Sequence, residues 1–400
     1  MAKTVVGSML VALIAFFQCA SISFAEGSVM DLSGIESHDV AFEWGSAIDL
    51  GPGGYARVHR LGDGRFMAAY SAGGGVVARF ASPKNMREWS EPVMVARDFI
   101  ATNGSETVRV HLANAEFAQL ETGRIIYACN LRPAGWRHDV HPCAIAISTS
   151  DDAGRTWSSL KVLYRADVAL PADGVPHGCY EPFILPLKGN AAQIYFANEA
   201  PYVEAKCEWQ NISLIETADG GESWSAPRIV SYTAERRDGM PVVMELGQWR
   251  YMAIESNPAK TRLHPQIVRT RISDNWRTPV LAPSPDRFEP LANPPDWCKH
   301  HGSAPYIVAT KNYILLSWHE TPLPGDPSAT SVARVAAVPK SEIKGGRFTT
   351  MRGESTPPGM VFGRDRGLWN SLCPLDGDRF LLVTEQNGRI TLYPGSVGIK

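Results

Sequence analysis

The chain has 400 residues, with 44% hydrophobic and 20% charged side chains, so it carries enough apolar material for a folded core and is not a disordered chain. Its formal net charge of −2 excludes the strong basic bias that nucleic-acid or anionic-membrane partners select. Thirty-five glycines and 29 prolines announce a chain broken by many turns.

The N-terminus reads as a secretory leader. Lys3 is followed by the apolar run 5–17, and Ser23-Phe24-Ala25 offers a small-x-small cleavage site. Residues 1–25 are therefore expected to be removed, leaving one domain over 26–400 with 38 basic and 41 acidic residues, a net charge of −3. A secreted or periplasmic protein without a membrane in its mature form is expected, and no later stretch is apolar enough to span a bilayer. Six cysteines then remain (Cys129, Cys143, Cys179, Cys207, Cys298 and Cys373), and six allow fifteen pairings in an oxidising compartment. Cys129 with Cys143 is the local expectation, because both fall in one predicted hairpin; buried free thiols are the alternative. Neither a CxxC pair nor an HExxH motif occurs, so no metal and no cofactor is expected. Asn103-Gly104-Ser105 and Asn211-Ile212-Ser213 are glycosylation sequons, meaningful only in a eukaryotic secretory path.

An eight-residue turn recurs along the chain. Ser150-Asp-Asp152-Ala-Gly154-Arg-Thr156-Trp157 returns as Thr217-Ala-Asp219-Gly-Gly221-Glu-Ser223-Trp224, and looser copies lie at 82–89 and 273–276. The pattern, Ser/Thr-x-Asp-x-Gly-x-Ser/Thr-Trp, is the Asp box. Its carboxylate can accept backbone N–H groups inside the turn, its glycine supplies an awkward φ, and its tryptophan packs between sheets. Such turns are structural and poor candidates for catalysis. A longer period accompanies them. Paired strand signals start near Arg57, Glu116, Glu181, Met240, Ser303 and Asn370, at steps of 59, 65, 59, 63 and 67 residues. Six units of about sixty residues, each with room for four strands, predict an all-β six-bladed propeller with Asp-box turns. The stretch 41–50 is positioned to supply the outer strand of the last blade and close the ring.

In a propeller the innermost strands surround a central channel, and their starts converge on one face. The repeat therefore collects Arg57, Glu116, Glu181, Met240, Ser303 and Asn370 in one ring. A second ring comes from the ends of the second strands: Tyr70, Asn130, Glu199, Glu255, His319 with Glu320, and Glu385. The pocket so predicted is rich in carboxylates. Glu181 and Glu255 sit among apolar neighbours, which raises a carboxyl pKa and suits a general acid. Paired carboxylates across a sugar-sized gap are the apparatus of glycoside hydrolysis. Tyr180, Tyr202, Trp209 and Trp318 serve either as blade packing or as sugar platforms.

At these residues the sequence resembles the sialidase superfamily, through its Asp boxes and the segment Tyr55-Ala-Arg57-Val-His-Arg-Leu-Gly-Asp-Gly64. Cys179-Tyr-Glu181-Pro-Phe183, the Asp box of 211–224, and Gly239-Met-Pro-Val-Val243 leading to Glu255 sharpen the resemblance to the exo-arabinanase glycoside hydrolases, which release arabinobiose from arabinan. It covers most of the mature chain and is strongest over 55–256. It implies a retaining, exo-acting enzyme on an arabinan-type α-L-arabinoside, with Glu181 as acid/base and Glu255 as nucleophile. The binding residues implied are Arg57, Tyr55, Glu116, Tyr180, Glu199, Arg236, Ser303, Trp318, His319 and Asn370, and the partner is an oligo- or polysaccharide taken by a monomer. An exo-α-sialidase is the alternative: Arg57 matches the first arginine of a carboxylate clamp, but no Ile-Pro follows it, Arg236 or Arg237 would have to be the second, and 302–306 offers no third. A glycan-binding propeller without catalysis is the third reading. The segment 130–143, with Arg132, Trp136, Arg137, His138 and His141, fits neither family pattern and reads as an insertion overhanging the pocket.

Overall fold

The computed structural model describes residues 39–166, 177–205, 209–257, 262–291, 300–322, 330–361 and 364–399. The expected leader, Cys207 and Cys298 lie outside them. The described residues form six sheets of four or five strands, one per blade, antiparallel except where Val280–Leu281 pairs parallel to Arg228–Tyr232 at the outer edge of the third. Their innermost strands are Gly54–Arg60, Glu106–Gln119, Cys179–Pro186, Asp238–Leu246, His300–Ala309 and Gly367–Pro374 for blades 1 to 6. Each continues by a tight turn into the second strand, then the third and fourth, as period-two alternation between turn residues dictates. Apolar side chains on the two faces of every blade meet those of its neighbours. Met67, Phe117 and Tyr127 fill the seam between blades 1 and 2, for example, and Tyr195, Tyr251, Trp276 and Leu316 belong to the continuous core farther round.

The ring closes by pairing the two ends of the described chain. Val40–Trp44 lies antiparallel to Arg389–Ile399, with Val40 opposite Ile399 and Trp44 opposite Gly395. Ile48–Pro52 pairs farther along the same strand. The expected closing strand is thus split in two by a bend at 45–47. Phe42 and Trp44 lock it sideways, both meeting Phe380 edge-on at 5.9 and 5.5 Å.

Every innermost strand contains a β-bulge at the same place, and the first bulged residue has positive φ although none is glycine. These residues are Tyr55 (52°), Asn114 (55°), Glu181 (58°), Met240 (47°), Ala304 (50°) and Trp369 (54°). The ladder shifts register beside each of them. A bulge bends the strand and re-aims one side chain. Here it turns one residue per blade toward the axis.

The two Asp-box turns lie at the other end of the strands, joining the third and fourth strands of blades 2 and 3. Asp152 Oδ1 accepts the N–H groups of Arg155 and Thr156 at 3.0 and 2.9 Å, and its Oδ2 accepts the Thr156 hydroxyl at 2.6 Å. Asp219 does the same with Ser223. Trp157 and Trp224 each donate their indole N–H to the turn glycine, Gly154 or Gly221, at 3.1 and 2.9 Å. In the looser copies, Trp89 donates to Met86 O at 2.8 Å, whereas Trp276 is fully buried and donates to Tyr195 at 2.9 Å, serving as an inter-blade wedge.

Two expectations are corrected. Cys129 and Cys143 are free, buried thiols. Cys129 is paired with Ala146 in the ladder and faces the seam with blade 1, while Cys143 faces the opposite seam beside Cys179. Opposite faces of one sheet cannot be bridged. Asn211 is fully buried and donates to Tyr202 at 3.0 Å, which closes its sequon in the folded chain.

The hydrogen bonds of Asp152 hold its carboxyl down at about 2. A depressed carboxyl stabilises the fold above its unfolded value of 3.8 and loses that contribution as the pH falls toward 2. Asp152→Ala and Asp219→Ala are expected to lower the melting temperature at pH 7, by less near pH 3, without altering glycan preference. Unchanged melting curves would remove the turns from the stability of the blades.

Candidate active site

The bulges build the site. Tyr55, Met240 and Ala304, turned inward from blades 1, 4 and 5, pack against one another, and Trp369 of blade 6 packs onto them. This apolar plug is the floor of a chamber at the end where the inner strands begin. The residue before each bulge faces a second-strand residue across the ladder, and these make a second ring at the chamber end: Ser71, Asn130, Ala197, Glu255, His319 and Glu385.

Glu181 and Glu255 meet at one peptide. Glu181 Oε2 accepts the N–H of Met240 at 3.1 Å. Glu255 is paired with Gly239 in the ladder, and a Cβ at Gly239 would lie 3.1 Å from its Oε1. A side chain there would first meet Gln210 Oε1 at 2.6 Å and would then crowd the carboxylate. Glu255 Oε2 also accepts the N–H of Ala304 at 2.9 Å. Both carboxyls therefore flank the Gly239–Met240 link, from blades 3 and 4.

Burial, and after it the neighbouring Glu255, raises the Glu181 carboxyl to about 8 against the pull of Arg132, Arg237 and the Met240 N–H. Burial also raises Glu255, against the Ala304 N–H and Arg237. Glu181 keeps a partly exposed edge toward the chamber, while Glu255 is 8% exposed. Two like charges side by side cannot both ionise cheaply, so the neighbouring Glu255 works with burial to hold the proton on Glu181.

The surroundings fix this pair. Arg237 Nη1 lies 3.0 Å from Glu199 Oε1, and Glu199 also accepts the Gly178 N–H at 3.2 Å and Gln210 Nε2 at 3.3 Å. Glu385 pairs with Arg366 at 2.9 Å. His319 is 1% exposed, with its ring 5.6 Å from Trp369, and burial pushes its pKa down to about 3, so it is neutral. Ser303 lies opposite His319 in the ladder. Among the described residues no group of three or more His, Cys, Asp or Glu side chains is arranged to hold a metal.

Other sequence candidates fall elsewhere. Arg57 and Glu116 lie two residues past the bulges, beneath the floor, where Arg57 is 2% exposed, approaches Glu116 at 3.5 Å and stacks on Tyr55 at 3.9 Å. Asn370 is one residue past its bulge and buried; Trp369 takes the inward position. In the second ring, Ser71 and Ala197 stand where Tyr70 and Glu199 were expected. Trp318 is fully buried in the blade core, because alternation turns it away from the axis when His319 faces it. Arg236 lines a separate depression with Thr233, Gln266 and Arg287, and its neighbour Arg237 reaches the acidic pair. Tyr202 is stacked on Tyr232 at 5.3 Å and meets Trp209 edge-on, as packing. Tyr180 stands at the chamber edge beside Trp136 and Arg132.

Sequence reasoning missed Tyr55 as a ring member, Asn114, Ala304 and Trp369. A usable signal exists. Pro182, Pro241 and Pro305 each follow the inward residue in blades 3 to 5, and proline inside a sheet marks bulges. A register set on those prolines gives the observed inward residues of blades 3 to 5.

A cavity of about 880 Å³ opens at the opposite end of the channel, lined by His59, Phe117, Phe183, Tyr306 and Leu372 among others. It lies beneath the floor and away from Glu181 and Glu255.

No protein-family model matches this sequence, and no curated protein does. Solved structures do. A protein of unknown function from Dyadobacter fermentans is similar at a TM-score of 0.60 and 14% identity, over 90% of this chain and 100% of that one. The Penicillium chrysogenum α-L-arabinanase, solved with arabinobiose, is similar at 0.57 and 15%, over 89% and 98%. A Streptococcus pneumoniae sialidase is similar at 0.54 and 12%, over 87% and 69%. The fold is the six-bladed propeller that arabinanases and sialidases share.

A carboxyl raised in the folded state keeps a proton that the unfolded chain has already released. Above the ordinary value of 4.5, stability therefore falls as the pH climbs toward 8. Glu181→Gln, which keeps the shape without the charge, is expected to melt higher than the parent at pH 8, and the gap should close toward pH 4. Equal melting temperatures across this range would mean that Glu181 is solvated.

Proposed function

We propose that the protein is an exo-acting glycoside hydrolase working with retention on arabinan-type α-L-arabinosides, with Glu181 as acid/base and Glu255 as nucleophile. The observation that carries this reading is the pair of carboxyls on the two sides of the Gly239–Met240 peptide, held unlike. Glu181 is the more open of the two and retains its proton to about 8, so it can donate to the leaving oxygen. Glu255 is anchored by the Ala304 N–H, which favours its ionised form and aims it.

In the first step Glu181 protonates the glycosidic oxygen, the bond from that oxygen to the anomeric carbon breaks, and a Glu255 oxygen forms an ester to that carbon. In the second step Glu181, now a carboxylate, takes a proton from water. The water oxygen bonds to the anomeric carbon and the ester to Glu255 breaks, regenerating both groups. The closed floor of Tyr55, Met240, Ala304 and Trp369 favours entry of a chain end over passage of a continuous chain. Likeness of fold to an arabinanase solved with arabinobiose favours arabinan, and export by the leader 1–25 belongs to the same reading.

A sialidase must converge three arginines on one carboxylate. Arg57 is already tied to Glu116 below the floor, Arg236 faces a separate depression, and Arg237, which does reach the acidic pair, is itself paired with Glu199, so this alternative has less support.

The test is hydrolysis of aryl α-L-arabinofuranoside and linear arabinan beside an aryl sialoside. Glu255→Gln is expected to lose about 10³-fold or more on both arabinosides. Glu181→Gln should lose roughly 10²–10⁴-fold on arabinan and far less on an aryl glycoside whose leaving group needs no proton. The basic limb of kcat/KM should fall near pH 8, as Glu181 loses its proton. A wild-type protein that binds glycan while neither substitution changes turnover would be a lectin.

A further inference from the structure

The wall of the chamber is not of even height. The innermost strand of blade 2, Glu106–Gln119, has 14 residues, against seven to ten in the other blades. With its partner Ile125–Pro133 it runs past the bulge at Asn114, Arg132 pairing with His111 and Pro133 with Val110. The turn that follows, Ala134–Trp136, is fixed to this raised hairpin. Arg137 bonds Asp139 and Glu106, and Asn103 donates to Asp139 O at 2.8 Å.

Two side chains on this ledge are left over by the mechanism. Trp136 is 38% exposed, one of few large hydrophobic residues so placed, and its own backbone has φ of 55°. It meets Tyr180, the residue before Glu181, edge-on at 6.2 Å. Arg132 carries its guanidinium 5.5 Å from the rings of both Trp136 and Tyr180. Its hydrogen bond is from Nη2 to Asn114 Oδ1 at 3.3 Å, and its buried Nε has no partner. Arg57, Arg237 and Arg366 around the channel each have a carboxylate partner. Arg132 has no ion pair among the described residues, although it is near enough to act on Glu181. A partly buried guanidinium beside two rings and without an anion is a fork awaiting a planar carboxylate.

We propose that Arg132 and Trp136 form an outer subsite for a uronic acid, the carboxylate on Arg132 and an apolar face of the sugar ring on Trp136, so that the preferred glycan carries an acidic sugar beside the bond cleaved. This deepens the hydrolase reading and rests on it for the position of the bond, but binding alone can test it.

The probes are methyl glucuronoside and methyl galacturonoside, each against its methyl glucoside or galactoside, which differ only by CO₂⁻ for CH₂OH. Titration followed by tryptophan fluorescence and ligand NMR should show each uronide binding the protein at least tenfold tighter than its neutral twin. The preference should weaken as salt is raised. Arg132→Gln should bring both ligands to equal affinity. Trp136→Ala, a change at an exposed position, should weaken both while keeping the preference. Equal binding of acidic and neutral ligands by the parent protein, or a preference that survives Arg132→Gln with an unchanged melting curve, overturns the subsite. Arg132-dependent uronide binding by a protein that hydrolyses no glycoside would sink the hydrolase and leave the subsite standing.

Discussion

The bulge in each innermost strand is the constraint on which the rest depends. A regular strand would alternate its side chains between the two seams of its blade and send none along the axis. By putting one non-glycine residue in the left-handed region per blade, the fold turns Tyr55, Asn114, Glu181, Met240, Ala304 and Trp369 inward together. Each such residue costs of order 1–3 kcal/mol and persists only where its surroundings over-determine it. Here they do. The hydrogen-bonded ladders resume on both sides of every bulge, and the inward side chains of four blades pack into one apolar plug.

The plug divides the axis into unlike compartments. Above it are the carboxyls and neutral His319; below it Arg57 and Glu116 neutralise each other, and the lower cavity is mainly apolar. The separation matters electrostatically. Were Arg57 level with Glu181, it would hold that carboxyl ionised and unable to donate a proton. One layer down, its charge is spent on Glu116. The acidic pair instead feels Arg237, itself shared with Glu199, and Arg132 on the raised ledge. Proton retention by Glu181 is thus a property of the whole ring, since burial, a neighbouring carboxyl and the distance of the cations all contribute.

The same division of labour separates stability from chemistry along each strand. The Asp-box carboxylates are satisfied within their own turns, at the end remote from the chamber, where they stop hairpins and pin tryptophans. At the chamber end Asn130 is fully buried with neither amide atom bonded to another protein group, and His319 Nδ1 has no protein partner.

The linear sequence by itself determined the blades. Their period, the Asp boxes and the closing strand at the N-terminal end of the described chain depend on alternation and on turn chemistry that acts over a few residues. Glu181 and Glu255 were legible because each stands where an apolar run begins or ends. Only the tertiary structure decided which residue of each inner strand faces the axis. A bulge adds one residue to a strand, and a slip of one or two positions exchanges an inward side chain for a seam or a lower layer, as it does for Arg57, Glu116 and Asn370. The pairing of Cys129 was undecidable from spacing for a related reason: two residues of one hairpin lie near each other whether or not they share a face. The convergence of two carboxyls on the Gly239–Met240 peptide belongs to this second class. It joins blades whose residues are 59 and 74 positions apart from Glu181 at Met240 and Glu255, and no local rule spans that distance.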